Sequence, residues 1–286
     1  MKVKYDVFFF ILFLHVIAIF SLFLIKNIKL NTILLQILWY VIGTIGITAG
    51  YHRYWCHCTF KAVRFLQYIL LFMGSSATQG SVIYWCKTHR THHRNEDHDG
   101  DPYNISKGFW FAHFGWLITE PDKITDFEIN RTNTEDLKDP LLIIQDRYYL
   151  IFWIIFSILI PVYITSLWKD AYNGFLTSFI RIVLVLNGTW LVNSLAHYSG
   201  GKPFNKQIAA SENGFVSFVS LGEGWHNYHH SFPKDYRASQ YNKYNPTTSF
   251  IDMLSYFGLV YDRHIRNRDV KITQQNKFDK NNYKVI

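Results

Sequence analysis

Cysteine is scarce in this chain, and the few cysteines present form neither a disulfide framework nor a paired metal motif. Only 3 of the 286 residues are cysteines, Cys56, Cys58 and Cys86, and no two of them have the CxxC spacing of zinc ribbons and redox motifs. A small secreted domain held together by disulfides is therefore not expected. We interpret the three thiols as small, reduced side chains rather than as metal ligands.

Glycine-rich loops, internal repeats and proline-rich linkers are also lacking, which removes several classes of function. The sequence contains neither the GxGxxG fingerprint of dinucleotide-binding folds nor a haem-attachment motif. The 7 prolines are scattered, and no change in composition separates one domain from another. The sequence therefore predicts a single domain over residues 1–286.

Charged residues make up only 17% of the chain, whereas 49% of the residues are hydrophobic and 18% are aromatic. Four apolar stretches are long enough to cross a hydrocarbon core, which takes about 20 residues. They cover residues 5–25, 31–51, 148–168 and 174–196. The first lacks a small-residue cleavage site, so we expect it to be retained as a span. The sequence thus predicts an all-α integral membrane protein with four transmembrane helices.

Basic residues are distributed unevenly between the segments that join these stretches, and this sets the expected orientation. Residues 52–147 hold eleven Lys and Arg and residues 197–286 hold twelve, whereas the connections on the opposite face hold three. Because cytoplasmic loops are enriched in Lys and Arg, we expect both termini and both long segments in the cytosol. The net charge of +8 suits anionic lipid or a phosphate-bearing substrate. Nucleic acid is not an expected partner.

Two shorter stretches carry expectations of their own. Leu66–Ser75 is apolar but too short to cross a membrane, which predicts an interfacial or re-entrant helix. The polar stretch 271–286 is expected to be a mobile tail.

Nine histidines in four clusters are the most informative feature of the sequence. They are His52 and His57, then His89, His92 and His93, then His197, and finally His226, His229 and His230. Neutral imidazole is a general transition-metal ligand, and nine imidazoles exceed what one ion can take. Since structural zinc sites close with about four ligands, this set favours two redox metals such as iron. The sequence therefore predicts an oxidative site with two metals on the cytosolic side.

The spacing within the clusters indicates which histidines share a helix face. Residues three and four apart are neighbours on an α-helix, so each HxxHH triplet can present its imidazoles from one side. His52 and His57 are five residues apart, which is about 140° around an ideal helix. The chain must therefore unwind or tighten near Arg53–Cys56, where the second span should end. Asn193 lies four residues before His197 and should project with it.

Four other histidines lack this spacing and are not predicted to be ligands. His15 lies in an apolar span and is interpreted as a packed residue, while His264 lies in the basic tail and is expected to be solvated. His98 and His113 are interpreted as supporting or surface residues. The carboxylates that could hydrogen-bond ligating imidazoles are Asp97, Asp101 and Glu223.

Six motifs between Gly46 and Arg263 carry a resemblance to a known family. They are GITAGYHRYWCH (Gly46–His57), HRTHH (His89–His93), DPYN (Asp101–Asn104), GFWFAHFGW (Gly108–Trp116), NSLAHYSG (Asn193–Gly200) and LGEGWHNYHHSFPKDY (Leu221–Tyr236). Together they resemble the motifs of membrane fatty-acid desaturases of the stearoyl-CoA, or Δ9, type. The resemblance implies a mushroom-shaped helical protein in which the cytosolic residues, 52–147 and 197–270, form a helical cap that holds a di-iron centre. It also implies that the nine histidines ligate directly and that Asn193 holds a metal-bound water.

This resemblance implies an acyl desaturase that inserts a cis double bond at Δ9 of a saturated C16 or C18 fatty acyl-CoA, with dioxygen and two electrons. The electrons are expected from cytochrome b5, which would dock on the basic cytosolic face of a protein in the endoplasmic reticulum membrane. An acyl-lipid desaturase and a fatty-acyl hydroxylase are alternatives with similar chemistry. A metal- or haem-binding membrane protein without enzymatic activity is the alternative from another class.

The resemblance also implies which residues surround the substrate. Those at the bend of the acyl tunnel are Gln79, Trp85, Thr189 and Trp190, and those at its closed end are Tyr40 and Thr44. On an ideal helix Thr44 and Tyr40 lie about 12 and 18 Å from His52. The positions that depart from the usual acyl-CoA pattern are Gly80, Lys87, Thr88 and Tyr103. The head group therefore stays open between CoA and a lipid.

Overall fold

The computed structural model describes residues 2–273 and 275–286, and most of them are helical. Within this part of the chain, four helices are long and apolar enough to cross a membrane. They are the first span (Tyr5–Leu24), the second span (Leu30–Cys56), the third span (Tyr149–Ser166) and the fourth span (Ala171–Tyr198). The predicted fold class, an all-α membrane protein with four transmembrane helices, is confirmed.

The first span shows why these helices belong in a bilayer. Phe9, Phe20 and Phe23 point away from the protein and are 60%, 61% and 78% exposed. Its opposite face is buried, and Leu14 and Ala18 pack in one apolar cluster with residues of the fourth span. Large apolar side chains on the outer face are favourable where lipid tails replace water. The helix is thus held by the fourth span on one side and suits lipid on the other.

Two spans change their winding along their length. The second span is α-helical over Leu30–Ile45 and π-helical over Gly46–Cys56. The third span contains a π-helical stretch at Ile154–Leu159. π-Helical turns are rare overall but frequent at functional sites. They therefore indicate places where the position of particular side chains requires irregular winding.

A short helix packs closely against the second span. It covers Arg64–Ser75 and includes the apolar stretch predicted to be too short to cross a membrane. A methyl group on Gly46 would lie 2.2 Å from the backbone nitrogen of Gly74, and one on Gly74 would lie 2.2 Å from the Tyr51 ring. Only glycine permits this approach, since any Cβ atom there would overlap its neighbour. The contact fixes the position of the loop that follows Ser75.

The remaining helices are short and lie between the spans or after the fourth span. The α-helices are Val82–Asn95, Trp116–Ile118, Lys123–Asn130, Pro140–Arg147, Gly214–Val219, His226–Ser231 and Pro246–Tyr256, and a π-helical turn covers Phe111–Gly115. The 3-10 turns are Ile105–Lys107, Glu135–Leu137 and Lys280–Asn282. Side-chain caps fix several starts: the Ser81 hydroxyl accepts from the backbone N–H of Tyr84 at 3.1 Å.

Among the described residues, four short strands connect distant parts of the chain. Strand β1 (Lys61–Ala62) pairs antiparallel with β2 (Val260–Tyr261), and β3 (His264–Arg266) pairs antiparallel with β4 (Tyr283–Val285). The expectation of a mobile tail over 271–286 is corrected by the second pair, although residue 274 lies outside the described residues. Strand pairing satisfies backbone groups in β4, and Tyr283 is buried. The polar composition of the tail did not predict the strand pairing or the burial of Tyr283.

Candidate metal centre

The second span changes its winding where it delivers its two histidines. The backbone N–H of His57 donates to the carbonyl of His52 at 3.0 Å, which is the i to i+5 bond of a π-helix. This winding brings two imidazoles five residues apart onto one face, with ring centroids 4.8 Å apart. The predicted departure from α-helical geometry is thus an unwinding, and the span ends at Cys56, within the predicted Arg53–Cys56 stretch.

Three other elements deliver the remaining histidines. Helix Val82–Asn95 carries the first HxxHH triplet on one face, and helix His226–Ser231 carries the second. His197 lies in the last turn of the fourth span. All nine clustered histidines are buried, so the four clusters, which are scattered along the chain, meet inside the protein.

Five of these side chains form a five-histidine group, made of His52, His57, His89, His93 and His229. One ring nitrogen of each lies within 4.8 Å of the others. The Nε2 atom of His229 lies 3.0 Å from that of His52 and 2.9 Å from that of His93. The Nε2 atoms of His57 and His89 are 3.1 Å apart. Five nitrogens therefore converge on one small volume.

The other four form a four-histidine group, made of His92, His197, His226 and His230. The Nε2 atom of His230 lies 3.0 Å from that of His226 and 3.3 Å from that of His92. The Nε2 atom of His197 is buried without a hydrogen-bond partner among the described residues. The two groups are adjacent, since the rings of His93 and His230 stack with centroids 4.1 Å apart.

This arrangement fits one metal ion in each group. Two imidazole nitrogens bound at right angles to one ion, with bonds of about 2.1 Å, are about 3.0 Å apart. The Nε2 separations of 2.9–3.3 Å match this value. Without a metal, two facing imidazoles can share one proton in a hydrogen bond. Several imidazole nitrogens that point at one place have lone pairs that no single donor can satisfy. The donor sets therefore suit transition metals, which take neutral imidazole readily.

Carboxylates hold the outer nitrogens of four of these imidazoles. The Nδ1 contacts are His52 to Glu223 at 3.0 Å, His92 to Asp101 at 2.8 Å, His197 to Asp97 at 3.0 Å and His230 to Glu96 at 2.8 Å. A carboxylate that accepts from Nδ1 leaves the lone pair on Nε2, the atom that faces the group centre. Three of these acids were singled out from the sequence, whereas Glu96 was missed.

Burial keeps most of these imidazoles in the neutral form that binds metal. It lowers the pKa well below the usual value for His57, His89, His93, His226, His229 and His230, and neighbouring histidines add to the effect. His92 differs: burial acts to lower its pKa, but the Asp101, Asp97 and Glu96 carboxylates together raise it above the usual value. Burial opposes the charge of Glu223, yet Arg53 and His52 lower the pKa of that carboxyl to about 2.

An apolar cavity of about 380 Å³ leads from the histidines into the protein. Its walls include His52, His89 and His226 at one end and Thr44 on the second span. The other predicted substrate residues that line it are Gln79, Trp85, Thr189 and Trp190, together with Asn193. Tyr40 is not among the lining residues; its hydroxyl donates to the carbonyl of Val219 at 2.6 Å. The cavity therefore extends to Thr44 and not to Tyr40.

A hydrogen-bonded bridge crosses the cavity wall. The Gln79 amide donates to the Thr189 hydroxyl at 2.6 Å, and the Trp85 indole N–H donates to the Gln79 carbonyl oxygen at 3.3 Å. The Trp85 ring stacks on His89 with centroids 4.6 Å apart. The bridge therefore links the wall of the cavity to the five-histidine group and holds the wall in a fixed shape.

The four histidines excluded from the ligand set also lie outside both groups. His15 stacks on Trp190 with centroids 6.0 Å apart, and His113 is buried with its Nδ1 2.8 Å from the Ser194 hydroxyl. His264 is half-buried in β3, not solvated as expected, because pairing with β4 covers it.

The sequence model of the fatty acid desaturase family matches residues 31–246, most of the chain and all nine clustered histidines. The chain belongs to the fatty acid desaturase family. This confirms the resemblance drawn from the motifs and makes the protein an oxidoreductase of lipid metabolism. The alternative of a metal- or haem-binding membrane protein without enzymatic activity is therefore wrong.

Several characterised desaturases are similar over most of their length. The chain is 40% identical to a stearoyl-CoA desaturase of Sus scrofa over 258 residues, which are 87% of this chain and 71% of that protein. It is 39% identical to an acyl-CoA desaturase of Ovis aries over 279 residues, 95% of this chain and 77% of that protein. It is 40% identical to the Delta(9)-fatty-acid desaturase fat-6 of Caenorhabditis elegans over 259 residues, 87% of this chain and 76% of that protein.

Proposed function

We propose that this desaturase inserts a cis double bond at Δ9 of a saturated C16 or C18 fatty acyl-CoA. The observation that carries the proposal is the apolar cavity that begins at the two histidine groups and reaches Thr44 on the second span. A cavity of this kind can bury the methyl half of an acyl chain and place its middle carbons beside the metals. The names of the relatives, stearoyl-CoA and Delta(9) desaturases, support the same substrate and position.

The metals we propose are two iron ions, one in each histidine group. The five-histidine group would hold one iron directly. The four-histidine group would hold the other, with Asn193 placing a water as its fifth ligand; Asn193 and His226 both line the cavity. We propose iron because desaturation needs a redox metal, whereas zinc has no redox chemistry.

The reaction removes two hydrogens from neighbouring carbons and forms one carbon–carbon double bond. These two hydrogens, together with two electrons and two protons from the donor side, reduce dioxygen to two waters, so the atoms and electrons balance. When bound, the irons supply the oxidising power that amino acid side chains lack. The protein positions one bond of the substrate: the Gln79, Thr189 and Trp85 bridge fixes the wall beside His89.

The two electrons need a donor, and we propose cytochrome b5. The basic residues of the two long segments, 52–147 and 197–286, would attract an acidic donor and speed its encounter. The same charge asymmetry supports a cytosolic position for the metal centre and both termini. An endoplasmic reticulum membrane agrees with this orientation and with the substrate class.

A second cavity adjoins the first where a head group would lie. It has a volume of about 210 Å³ and shares Lys4, Tyr84, Thr88 and Trp116 with the first cavity. It also includes Lys107, but that ammonium lies 2.8 Å from the Asp122 carboxylate, and Glu120 and Asp126 line the same cavity. Its charges therefore do not favour CoA over a lipid head group. An acyl-lipid substrate is the competing possibility, because Gly80 and Thr88 depart from the residues usual in acyl-CoA members.

Expression in a cell that lacks its own Δ9 desaturase tests the proposal. We expect C16 and C18 products with a cis double bond at carbon 9, located by mass spectrometry. The purified protein, given cytochrome b5 and its reductase, should consume palmitoyl-CoA or stearoyl-CoA in preference to the same acyl chains in phospholipid. Hydroxylated products would indicate a hydroxylase, and turnover of phospholipid alone would identify an acyl-lipid desaturase.

Thr44 gives a prediction about chain length. We expect Thr44→Ala to deepen the closed end of the cavity and favour stearoyl-CoA, and Thr44→Leu to favour palmitoyl-CoA. One methylene in an apolar pocket changes the transition-state free energy by about 1–3 kcal/mol, so the product ratio should change several-fold. The measurement is competition between the two substrates.

The matched control for Thr44 is Ile37→Ala on the outer face of the same helix, where the side chain is 57% exposed. This change should leave the ratio of C16 to C18 products unaltered. If neither Thr44 variant alters the ratio, the acyl chain ends elsewhere in the protein.

A further inference from the structure

The last residues of the chain fold back onto the histidines. Pairing of β4 with β3 anchors the end of the segment, and the Tyr283 hydroxyl donates to the carbonyl of Lys277 at 2.7 Å. The next ring, that of Phe278, has its centroid 6.3 Å from that of His93. These contacts give Lys277 a fixed backbone position next to the metal centre.

The Lys277 side chain is directed inward. It is only 3% exposed, and its ammonium lies 3.2 Å from Oε2 of Glu96. The other oxygen of Glu96 lies 2.8 Å from Nδ1 of His230. Because a buried ammonium is costly unless it is paired, this side chain is placed for a specific partner and not for solvent. Lys277, Glu96 and His230 form a series from cation to carboxylate to imidazole.

The five-histidine group has a series of the same kind. Arg53 donates to Oε1 of Glu223 at 2.8 Å, and Oε2 of Glu223 lies 3.0 Å from Nδ1 of His52. Arg53 lies within the second span, directly after His52. Lys277 instead comes from the opposite end of the chain, yet it stands in the equivalent place behind the four-histidine group.

The Glu96 carboxylate depends on a cationic partner for its position, because its backbone lies outside the helix. It lies one residue after helix Val82–Asn95, and the next residue, Asp97, has a left-handed backbone with φ of 60°. A side-chain anchor therefore decides where the Glu96 carboxylate points. Partners of this kind set which imidazole nitrogen faces the metal, and their loss weakens metal binding by about 10–100-fold.

We propose that Lys277 is a positioning residue of the metal centre: it holds Glu96 against His230 and so keeps the four-histidine group ready to bind its metal. This inference rests on the proposed di-metal function. It makes the C-terminal segment part of the active site, although its sequence is polar and carries no metal-binding motif.

The test compares metal retention in matched variants of the full-length protein. Lys277→Met keeps the length of the side chain and removes its charge, so we expect one of two metals to be lost at about 10–100-fold lower chelator concentration. Lys277→Arg should restore most of the retention, since the charge returns. The control is Lys280→Met, an exposed lysine of the same segment, which should behave like the unmodified protein. Melting of the metal-free forms reports any general loss of folding.

A double variant separates the route through Glu96 from a general packing effect. If Lys277 acts through that carboxylate, adding Lys277→Met to Glu96→Gln should cause little further metal loss, and the Mössbauer spectra of the single variants should change at one iron only. Additive losses, equal loss in Lys280→Met or in Lys277→Arg, or full retention in Lys277→Met would each overturn the proposal.

The unmodified protein keeps this test apart from that of the proposed function. If it binds fewer than two metals per chain, the di-metal function itself is contradicted. If the unmodified protein and Lys277→Met both retain two metals at equal chelator concentrations, only the role of Lys277 is wrong.

Discussion

His229→Ala is expected to abolish desaturation, with turnover reduced by at least about 100-fold. The Nε2 atom of His229 lies between those of His52 and His93, at 3.0 and 2.9 Å, so its loss removes the central donor of the five-histidine group. Iron content should fall from about two to about one per chain. The measurement combines elemental analysis of the purified protein with product formation from stearoyl-CoA.

The control for this change is His264→Ala, because His264 lies in β3 outside both histidine groups. It should retain both metals and most of the activity. Normal turnover in His229→Ala would contradict the assignment of the five-histidine group as a metal site. Loss of one metal in His264→Ala would show that the ligand set is incomplete.

Arg53→Met is expected to lower the free energy of unfolding by about 3–5 kcal/mol and to weaken the five-histidine group. The Arg53 guanidinium is 1% exposed and donates to Glu223, Tyr236, Thr248 and Asn245. Its removal leaves the Glu223 carboxylate buried without its cation. Thermal unfolding in detergent, together with iron content, measures both effects.

A surface arginine provides the comparison for Arg53. Arg131 pairs with Glu128 and is half-exposed, and such pairs contribute less than about 1 kcal/mol. Arg131→Met should therefore unfold close to the temperature of the unmodified protein. Similar unfolding temperatures for Arg53→Met and Arg131→Met would mean that Glu223 finds another partner or takes up a proton.

The spans could be predicted from the sequence because hydrocarbon imposes a simple rule. A helix in lipid needs about 20 apolar residues, and the four stretches that meet this rule correspond to the four candidate spans. Their ends were harder to predict. The second span runs through Cys56, since its last turns are buried in protein and can carry the polar side chains of His52 and Arg53.

The histidine groups could also be anticipated in part. Spacing of three and four residues placed the two triplets on helix faces, and five-residue spacing between His52 and His57 predicted irregular winding. Spacing alone did not divide nine histidines between two groups. That division depends on how four elements pack, for example on the stacking of His93 and His230, adjacent members of different groups.

The supporting charges were the least predictable part of the site. Glu96 bonds His230, which is far along the chain, and Lys277 bonds Glu96 across 181 positions. Local periodicity in a sequence cannot predict a contact between two residues that lie so far apart along the chain. Arg53 carried no signal of its own, since it lies beyond the apolar stretch predicted over residues 31–51.

The distance along the chain between the ligands also has a consequence for biosynthesis. His52 and His229 are 177 positions apart and lie on opposite sides of the third and fourth spans in sequence. A ribosome therefore delivers the first ligands while the last ones are not yet made, and neither proposed iron site can close until all four spans are in the membrane. Metal binding is then a late step of maturation. A chain made in iron-poor cells would be inserted into the membrane but would lack the metal–histidine bonds that join its distant segments.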